Sequence, residues 1–129
     1  MGCRLVEGMR ETRSLQRIAP LEERTLALVR EGRAAEAGQA LRELATLLER
    51  EEKDWRGRPH GRTLAFDLCL TYGRLSALAT GTPEEEAFFG EARPWCVLSE
   101  QVSVRDEASL RALLRRVDKP GRSSQGDAR

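Results

Sequence analysis

At 129 residues, the chain is long enough to bury a hydrophobic core that needs neither a disulfide nor a metal ion to hold it together. Hydrophobic residues make up 40% of it and charged residues 33%, which argues against a disordered chain and against a membrane span. The formal net charge of +1 provides no global field that would recruit an anionic partner.

The choice of aliphatic residues favours helices. Leu occurs 18 times, against one Ile and six Val. Leu keeps its rotamer freedom in a helix, whereas β-branched side chains lose it and favour strands. We therefore expect an all-α fold.

The first two predicted helices occupy residues 5–31. Residues 5–17 are Arg-rich and weakly amphipathic, and are either a helix or a loosely packed arm within residues 1–19. Pro20 predicts the start of the next helix, over about 20–31, because Pro is tolerated at the first helical position. Gly32 suits the left-handed residue that ends it.

A third predicted helix runs from about 34 to 54, where Ala37, Leu41, Leu44 and Leu48 form one apolar stripe. The segment "RGRPHGR", residues 56–62, is rich in Gly, Pro and Arg and predicts a linker.

The helix predicted over about 62–80 is the most apolar of the chain. Its only charged residues after Arg62 are Asp67 and Arg74. A helix that is apolar nearly all round belongs in the middle of a bundle.

The next helix has a strong start signal, with Thr82 as cap, Pro83 at the first position and Glu85 completing a capping box. Pro94 predicts its end or a kink, and residues 94–104 are either a further helical turn or extended. A last helix is expected over about 106–117. We expect a single domain over residues 1–118, followed by a disordered tail over 119–129.

The pair of helices around "LVREGRAAEAGQALREL" resembles a tetratricopeptide hairpin, with Gly32 at the turn, Ala37 at the small position, and Leu41 and Leu44 at large apolar positions. Residues 64–93 resemble a second hairpin. The resemblance implies five or six helices arranged as stacked antiparallel hairpins, with the first helix of each hairpin lining a concave surface. The expected core is Leu41, Leu44, Leu48, Leu68, Leu75, Phe89 and Leu113.

Such a surface predicts a set of binding residues. Asp67, Thr71 and Arg74 follow each other at helical spacing and form one polar stripe. Either this stripe is the floor of a peptide groove, or it is a solvated strip or an ion pair to another helix. With the stripe as floor, the predicted binding residues are Arg74, Asp67, Thr71, Tyr72, Arg24 and Arg30.

Reactive groups are scarce. His60 is the only His, so a Ser-His-Asp or Cys-His arrangement would have to be built around it. The cysteines at positions 3, 69 and 96 lack zinc-site spacing, and no Gly-rich phosphate loop is present. We expect neither an enzyme nor a cofactor or metal ion.

The sequence thus favours a non-enzymatic protein–protein interaction module, an adaptor or accessory subunit, that binds a peptide or partner protein. A homodimer is compatible with it. The alternative is a nucleic-acid-associated regulator, although nucleic acid is the weaker choice because the net charge is near neutral. The residues that would carry this alternative are Arg111, Arg115, Arg116, Lys119 and Arg122.

The cysteine pattern bears on location. Cys69 falls in an apolar helix, so we expect a buried, reduced thiol and a cytoplasmic protein without a membrane span. Gly2 and Cys3 match the end of the lipobox of bacterial lipoproteins. The alternative is therefore a lipid anchor through Cys3, if Met1 replaces a signal segment.

Overall fold

The computed structural model describes residues 2–100, with side chains from residue 6 onward, together with Ala108, Arg111 and Ala112. These residues contain four complete helices and no strand. The helices are α1 (Gly2–Arg30), α2 (Ala34–Trp55), α3 (Pro59–Leu78) and α4 (Glu84–Ser99). Short turns join them, each containing a Gly with positive φ, at residues 32, 57 and 81. Consecutive helices are therefore antiparallel, and the all-α prediction is confirmed.

The first helix is longer than the sequence predicts. α1 continues through Pro20, which was expected to begin a helix. Pro20 lacks an N–H, so the carbonyl of Gln16 loses its helical partner. Both residues are exposed, so water can bind that carbonyl, and the helix continues. The predicted boundary at Pro20 is wrong, and residues 2–19 belong to a helix rather than to an arm.

α2 provides the main apolar stripe, as predicted. Leu41, Leu44 and Leu48 are fully buried. Leu44 and Leu48 pack with Trp55 at the end of α2 and with Ile18 of α1, and α3 contributes Leu64 and Leu68 to the same core. The period of this stripe was enough to place the core, because every fourth or third residue of a helix faces the same side.

α3 begins inside the segment that was predicted to be a linker. Pro59 occupies the first turn, directly after the sharp turn at Gly57, where φ is +84°. Gly61 allows this turn to be tight, because a Cβ atom there would lie 2.1 Å from the main-chain oxygen of Trp55. As expected for an apolar helix, α3 lies between neighbours, packing on α2 and on α4.

α4 passes through Pro94 and ends at Ser99, so Pro94 does not terminate it. The predicted capping box is not formed as expected, because the Thr82 hydroxyl donates to the carbonyl oxygen of Ala79 at 2.7 Å. Glu85 does reach back, accepting a hydrogen bond from the N–H of Gly81 at 3.1 Å. The start of α4 is thus tied to the preceding turn rather than to its own cap.

The predicted core is confirmed where the structure describes it. The buried members are Leu41, Leu44, Leu48, Leu68, Leu75 and Phe89. Leu113 lies outside the described residues, as does the tail over 119–129. Ala108, Arg111 and Ala112 are helical, and the other residues of the helix expected over 106–117 are outside the described part. None of the described helices is both long and apolar enough to cross a bilayer.

Candidate functional site

Two clefts open on either side of the first half of α2, at the end of the bundle that holds the α1–α2 and α3–α4 turns. The larger has a volume of about 410 Å³ and lies between α1 and α2. The smaller, about 210 Å³, lies between α2, α3 and α4. Gln39 lines both, so the two clefts adjoin along one ridge of α2.

The larger cleft has a polar, mostly cationic rim. Arg24 of α1 lies 3.7 Å from Glu43, and both side chains are at least half exposed. Arg33 in the turn forms ion pairs with Glu36 and Glu31. Exposed ion pairs of this kind contribute about 0–1 kcal/mol. A ligand carboxylate can therefore replace them at little cost.

The smaller cleft is lined mostly by apolar and small residues. Its walls are Leu75 and Leu78 of α3 and Phe88 of α4, and Leu78 is 39% exposed. The opposite side of this cleft is formed by small residues of α2, namely Ala34, Ala35 and Gly38. Arg42, the charged lining residue, places its guanidinium 5.7 Å from the centroid of the Phe88 ring. The cleft thus combines an apolar surface with a cation at its edge.

Among the predicted binding residues of α3, Asp67 and Thr71 face the interior. Thr71 is 1% exposed, and its hydroxyl donates to the main-chain oxygen of Asp67 at 2.7 Å. Burial and the nearby charge of Glu22 raise the pKa of Asp67 to about 7, and the charge of Arg74 opposes this rise. Arg74 is half-buried. The charges of Glu22 on α1 and of Arg74 on α3 thus act on Asp67 in opposite directions.

The other three predicted residues are spread over the molecule. Tyr72 is half-buried, and its hydroxyl donates to the carboxylate of Glu49 on α2. Burial and this contact raise the pKa of Tyr72. Arg24 lines the larger cleft, and Arg30 is exposed at the last residue of α1. The six predicted residues therefore do not form one surface, and only Arg24 lines a cleft.

Sequence reasoning missed most of the cleft-lining residues. They are small or apolar residues near helix ends, which carry no chemical motif. One signal was available in "RAAEAGQA", where small residues stand at positions 34, 35 and 38 on the outer side of α2. A run of small residues on a helix surface leaves space between that helix and its neighbours.

A polar network joins α1, α2 and α3 at the opposite end of the bundle. His60 Nε2 lies 3.1 Å from Ser14 Oγ, and both residues are buried. The carboxylate of Glu51 accepts two hydrogen bonds from Arg17 at 2.8 and 2.9 Å, and its pKa is lowered mainly by Arg17, with a smaller contribution from Ser14. His60 Nδ1 lies 3.9 Å from a carboxylate oxygen of Glu11. Ser, His and Glu thus meet in space although they are distant in sequence.

Burial distinguishes this cluster from a catalytic triad. Ser14 is 0% exposed, so a substrate carbonyl cannot reach its oxygen. The network stabilises the packing of three helices.

Trp55 closes this end of the core. Its ring meets that of His60 edge-on at 4.8 Å. The guanidinium groups of Arg10 and Arg58 each lie 5.4 Å from the Trp55 ring centroid. Because Trp55 is only 3% exposed, it acts as the lid of the core rather than as a contact residue.

The expectation of a reduced thiol at Cys69 is wrong. Cys69 of α3 forms a disulfide with Cys96 of α4, and their Cα atoms are 4.8 Å apart. Both residues are fully buried, next to Phe89 and Ala92. From the sequence, 27 residues of separation and an odd number of cysteines gave no reason to pair them. The helical register brings them together.

Comparison with known proteins identifies no relative. No protein-family model, no curated protein and no solved structure matches the chain. The resemblance to tetratricopeptide hairpins therefore stays a prediction, and the function has to be argued from the clefts.

Proposed function

We propose that the protein is a non-enzymatic interaction module that binds a peptide segment of a partner protein in the two clefts beside α2. The observation that carries this proposal is their contiguity across Gln39, which puts a cationic rim next to an apolar cleft. An extended peptide that ends in an apolar residue with a free carboxylate suits both. The apolar side chain would fill the smaller cleft, and Arg24 or Arg33 would take the carboxylate.

The charges of the lining residues favour an acidic ligand. The larger cleft is lined by Arg24, Arg33 and Glu36, and the smaller by Arg42. The lining thus holds three cations and one anion, while Glu43 and Glu31 pair with Arg24 and Arg33 from beside the cleft. Weak surface ion pairs at Arg24 and Arg33 can be exchanged for a ligand carboxylate.

A five-helix, tetratricopeptide-like stack is part of this proposal. Two observations support a further helix after α4. Ala108, Arg111 and Ala112 are helical. Arg111 contacts α4, donating to both carboxylate oxygens of Glu86 at 2.7 and 2.8 Å and lying 3.9 Å from the Phe89 ring centroid. A helix placed there would close one side of the bundle.

The contacts of Arg111 also argue against the alternative function of nucleic-acid binding. A nucleic-acid regulator would use the Arg-rich segment after α4, and this guanidinium is already engaged by Glu86 and Phe89. Binding through phosphates must weaken steeply as salt rises, whereas a peptide cleft need not show this dependence. Retention of DNA or RNA at low salt and its release at moderate salt would favour the regulator.

The test is an NMR titration of the ¹⁵N-labelled chain with synthetic peptides ending in Leu or Phe, each as the free acid and as the C-terminal amide. We expect saturable shifts of the Gly38 and Gln39 amides with the free acids and much weaker shifts with the amides. Arg24→Ala should weaken binding about tenfold, because it removes a charge-assisted hydrogen bond. Arg13→Ala, on the exposed side of α1, is the matched control.

A second variant fills the smaller cleft. A Cβ atom at Gly38 would meet nothing within 4 Å, so Gly38→Leu places a side chain in the cleft without a clash in the fold. We expect it to abolish binding while the melting temperature stays equal or rises. Gly90→Leu, at an equally open position of α4, is the control. If no free-acid peptide binds, or if both cleft variants bind as the wild type does, the proposal is wrong.

A further inference from the structure

We infer that the Cys69–Cys96 disulfide controls the smaller cleft: the cross-link holds α4 in place as one wall, and its reduction removes that wall. This inference rests on the proposed function for its biological meaning, but its structural part can be tested without a ligand.

The first step concerns what holds α4. Its buried residues are Phe89, Ala92, Cys96 and Ser99, so three of the four are small. The local core contains these and Cys69, with Leu70, Tyr72 and Trp95 only partly buried against it. Small side chains bury little apolar area, and hydrophobic stabilisation is roughly proportional to that area. The buried apolar area of α4 is therefore modest, and the covalent link adds to it and to the hydrogen bond that the Ser76 hydroxyl of α3 donates to the main-chain oxygen of Glu85 at 2.9 Å.

The second step concerns the cleft. Phe88 forms its α4 wall, and Leu75 belongs to its α3 wall. Phe88 precedes Cys96 by about two turns of the same helix, and Leu75 follows Cys69 by less than two turns. The cross-link fixes one point of approach of α3 and α4, and α4 stays helical from Phe88 through Pro94 to Cys96, so it limits how far the Phe88 wall can move from the Leu75 wall. The remaining links of Phe88 to α2 are weak, as its contact with Arg42 is at the exposed surface.

The third step concerns the redox reaction. Formation of the cross-link removes two electrons and two protons from the thiols of Cys69 and Cys96. A disulfide-bonded oxidoreductase or a small-molecule disulfide accepts them and leaves as two thiols. Both sulfurs are fully buried, so a dithiol reductant can attack only when α4 opens locally. The cross-linked form is thus expected in an oxidising compartment, in place of the cytoplasm that the sequence suggested.

The experiment compares the oxidised full-length protein with the same protein after complete reduction, verified by counting thiols, and with a Cys69→Ala/Cys96→Ala variant. Hydrogen exchange is followed by mass spectrometry on peptides from α4 and from α2. We expect protection of the α4 amides to fall on the order of 100-fold on reduction, while α2 stays protected. Cys3→Ser, which leaves the cross-link intact, should behave as the wild type.

A second readout observes the cleft wall itself. With 4-fluorophenylalanine incorporated, the ¹⁹F signal of Phe88, assigned with Phe88→Leu, should lose its distinct chemical shift on reduction. An α4 that keeps its protection after complete reduction overturns the inference. Equal loss of protection in α2 and α4 also overturns it, because the cross-link would then stabilise the whole bundle rather than one wall.

The peptide titration separates the two proposals. Loss of α4 protection together with no binding of any peptide supports redox control of this wall and refutes the binding module. Peptide binding of equal affinity in the oxidised and reduced proteins refutes redox control and supports the module.

Discussion

Replacing Asp67 with Asn removes a half-buried carboxylate of α3 that feels the charge of Glu22 of α1. The pKa of Asp67 is raised from 3.8 to about 7, first by burial and then by the charge of Glu22. Each pKa unit between the folded and unfolded chains corresponds to about 1.4 kcal/mol. The ionised carboxylate therefore costs at most about 4 kcal/mol above pH 7, and relaxation of the helices reduces this to about 1–3 kcal/mol.

The sign of the effect follows from proton binding. Between pH 3.8 and about 7 the folded chain binds a proton at Asp67 that the unfolded chain has released. The contribution of Asp67 to stability is therefore complete below pH 3.8 and is lost as the pH rises through 7. Asn is neutral throughout, so Asp67→Asn should change the free energy of unfolding little at pH 4 and raise it by about 1–3 kcal/mol at pH 8.

Urea unfolding at pH 4, 5, 6, 7 and 8, followed by circular dichroism, measures this difference between variant and wild type. Taking the difference cancels the other titrating groups. Arg74→Ala provides the companion variant: Arg74 holds the pKa of Asp67 down, so its loss should lower stability and enlarge the gain from Asp67→Asn. A gain that is independent of pH, or a loss of stability at pH 8, would refute the reasoning.

Three further predictions concern the packing of α3. Gly61→Ala should lower the free energy of unfolding by about 1–3 kcal/mol in urea titrations, because the new Cβ atom would clash with the main-chain oxygen of Trp55. The control Gly90→Ala, where the Cβ atom meets open space, should raise the free energy of unfolding by up to about 1 kcal/mol. Burial lowers the pKa of His60, so the unfolded chain takes up a proton there before the folded chain does, and stability should fall as the pH drops below 6.5. His60→Gln should flatten this part of the profile of stability against pH, and an unchanged slope would contradict the prediction. In Cys69→Ala/Cys96→Ala, the loss of about 3–4 kcal/mol that chain entropy predicts for a loop of 27 residues should appear as earlier unfolding of α4. Equal urea midpoints of α4 in the variant and in the oxidised wild type would contradict that figure.

The core was predictable from the sequence because it depends on periodicity alone. Leu41, Leu44 and Leu48 repeat at helical spacing, and an amphipathic helix has only one way to bury them. The turns were predictable for a similar reason, since Gly32 and Gly81 adopt positive φ, which other residues avoid. Local chemistry decides both features.

The cleft and the disulfide were not predictable, since both depend on which helix faces which. Sequence reasoning identified a polar stripe through Asp67 and Thr71 but not the charges beside it, and Glu22 of α1 adds to the effect of burial on the pKa of Asp67. The sequence pattern likewise places Cys69 on a buried face of α3 but does not say which helix packs against that face. Only the close approach of α4 turns it into half of a disulfide.

α1 shows why the sequence left its N-terminal end open between a helix and an arm. Among the side chains described along this helix, the buried ones are Ser14, Ile18 and Thr25, so two of the three are hydroxyl residues and carry no hydrophobic signal. Its first half is attached by polar contacts, through Ser14 to His60 and through Arg17 to Glu51. Apolar periodicity is weak in such a helix and fits either alternative. A helix can nevertheless dock through hydrogen bonds where its neighbour offers buried polar partners, because each buried polar group then has its bond. The docking of α1 therefore depends on polar partners in the neighbouring helices, Glu51 of α2 and His60 of α3, more than on the apolar pattern of α1 itself.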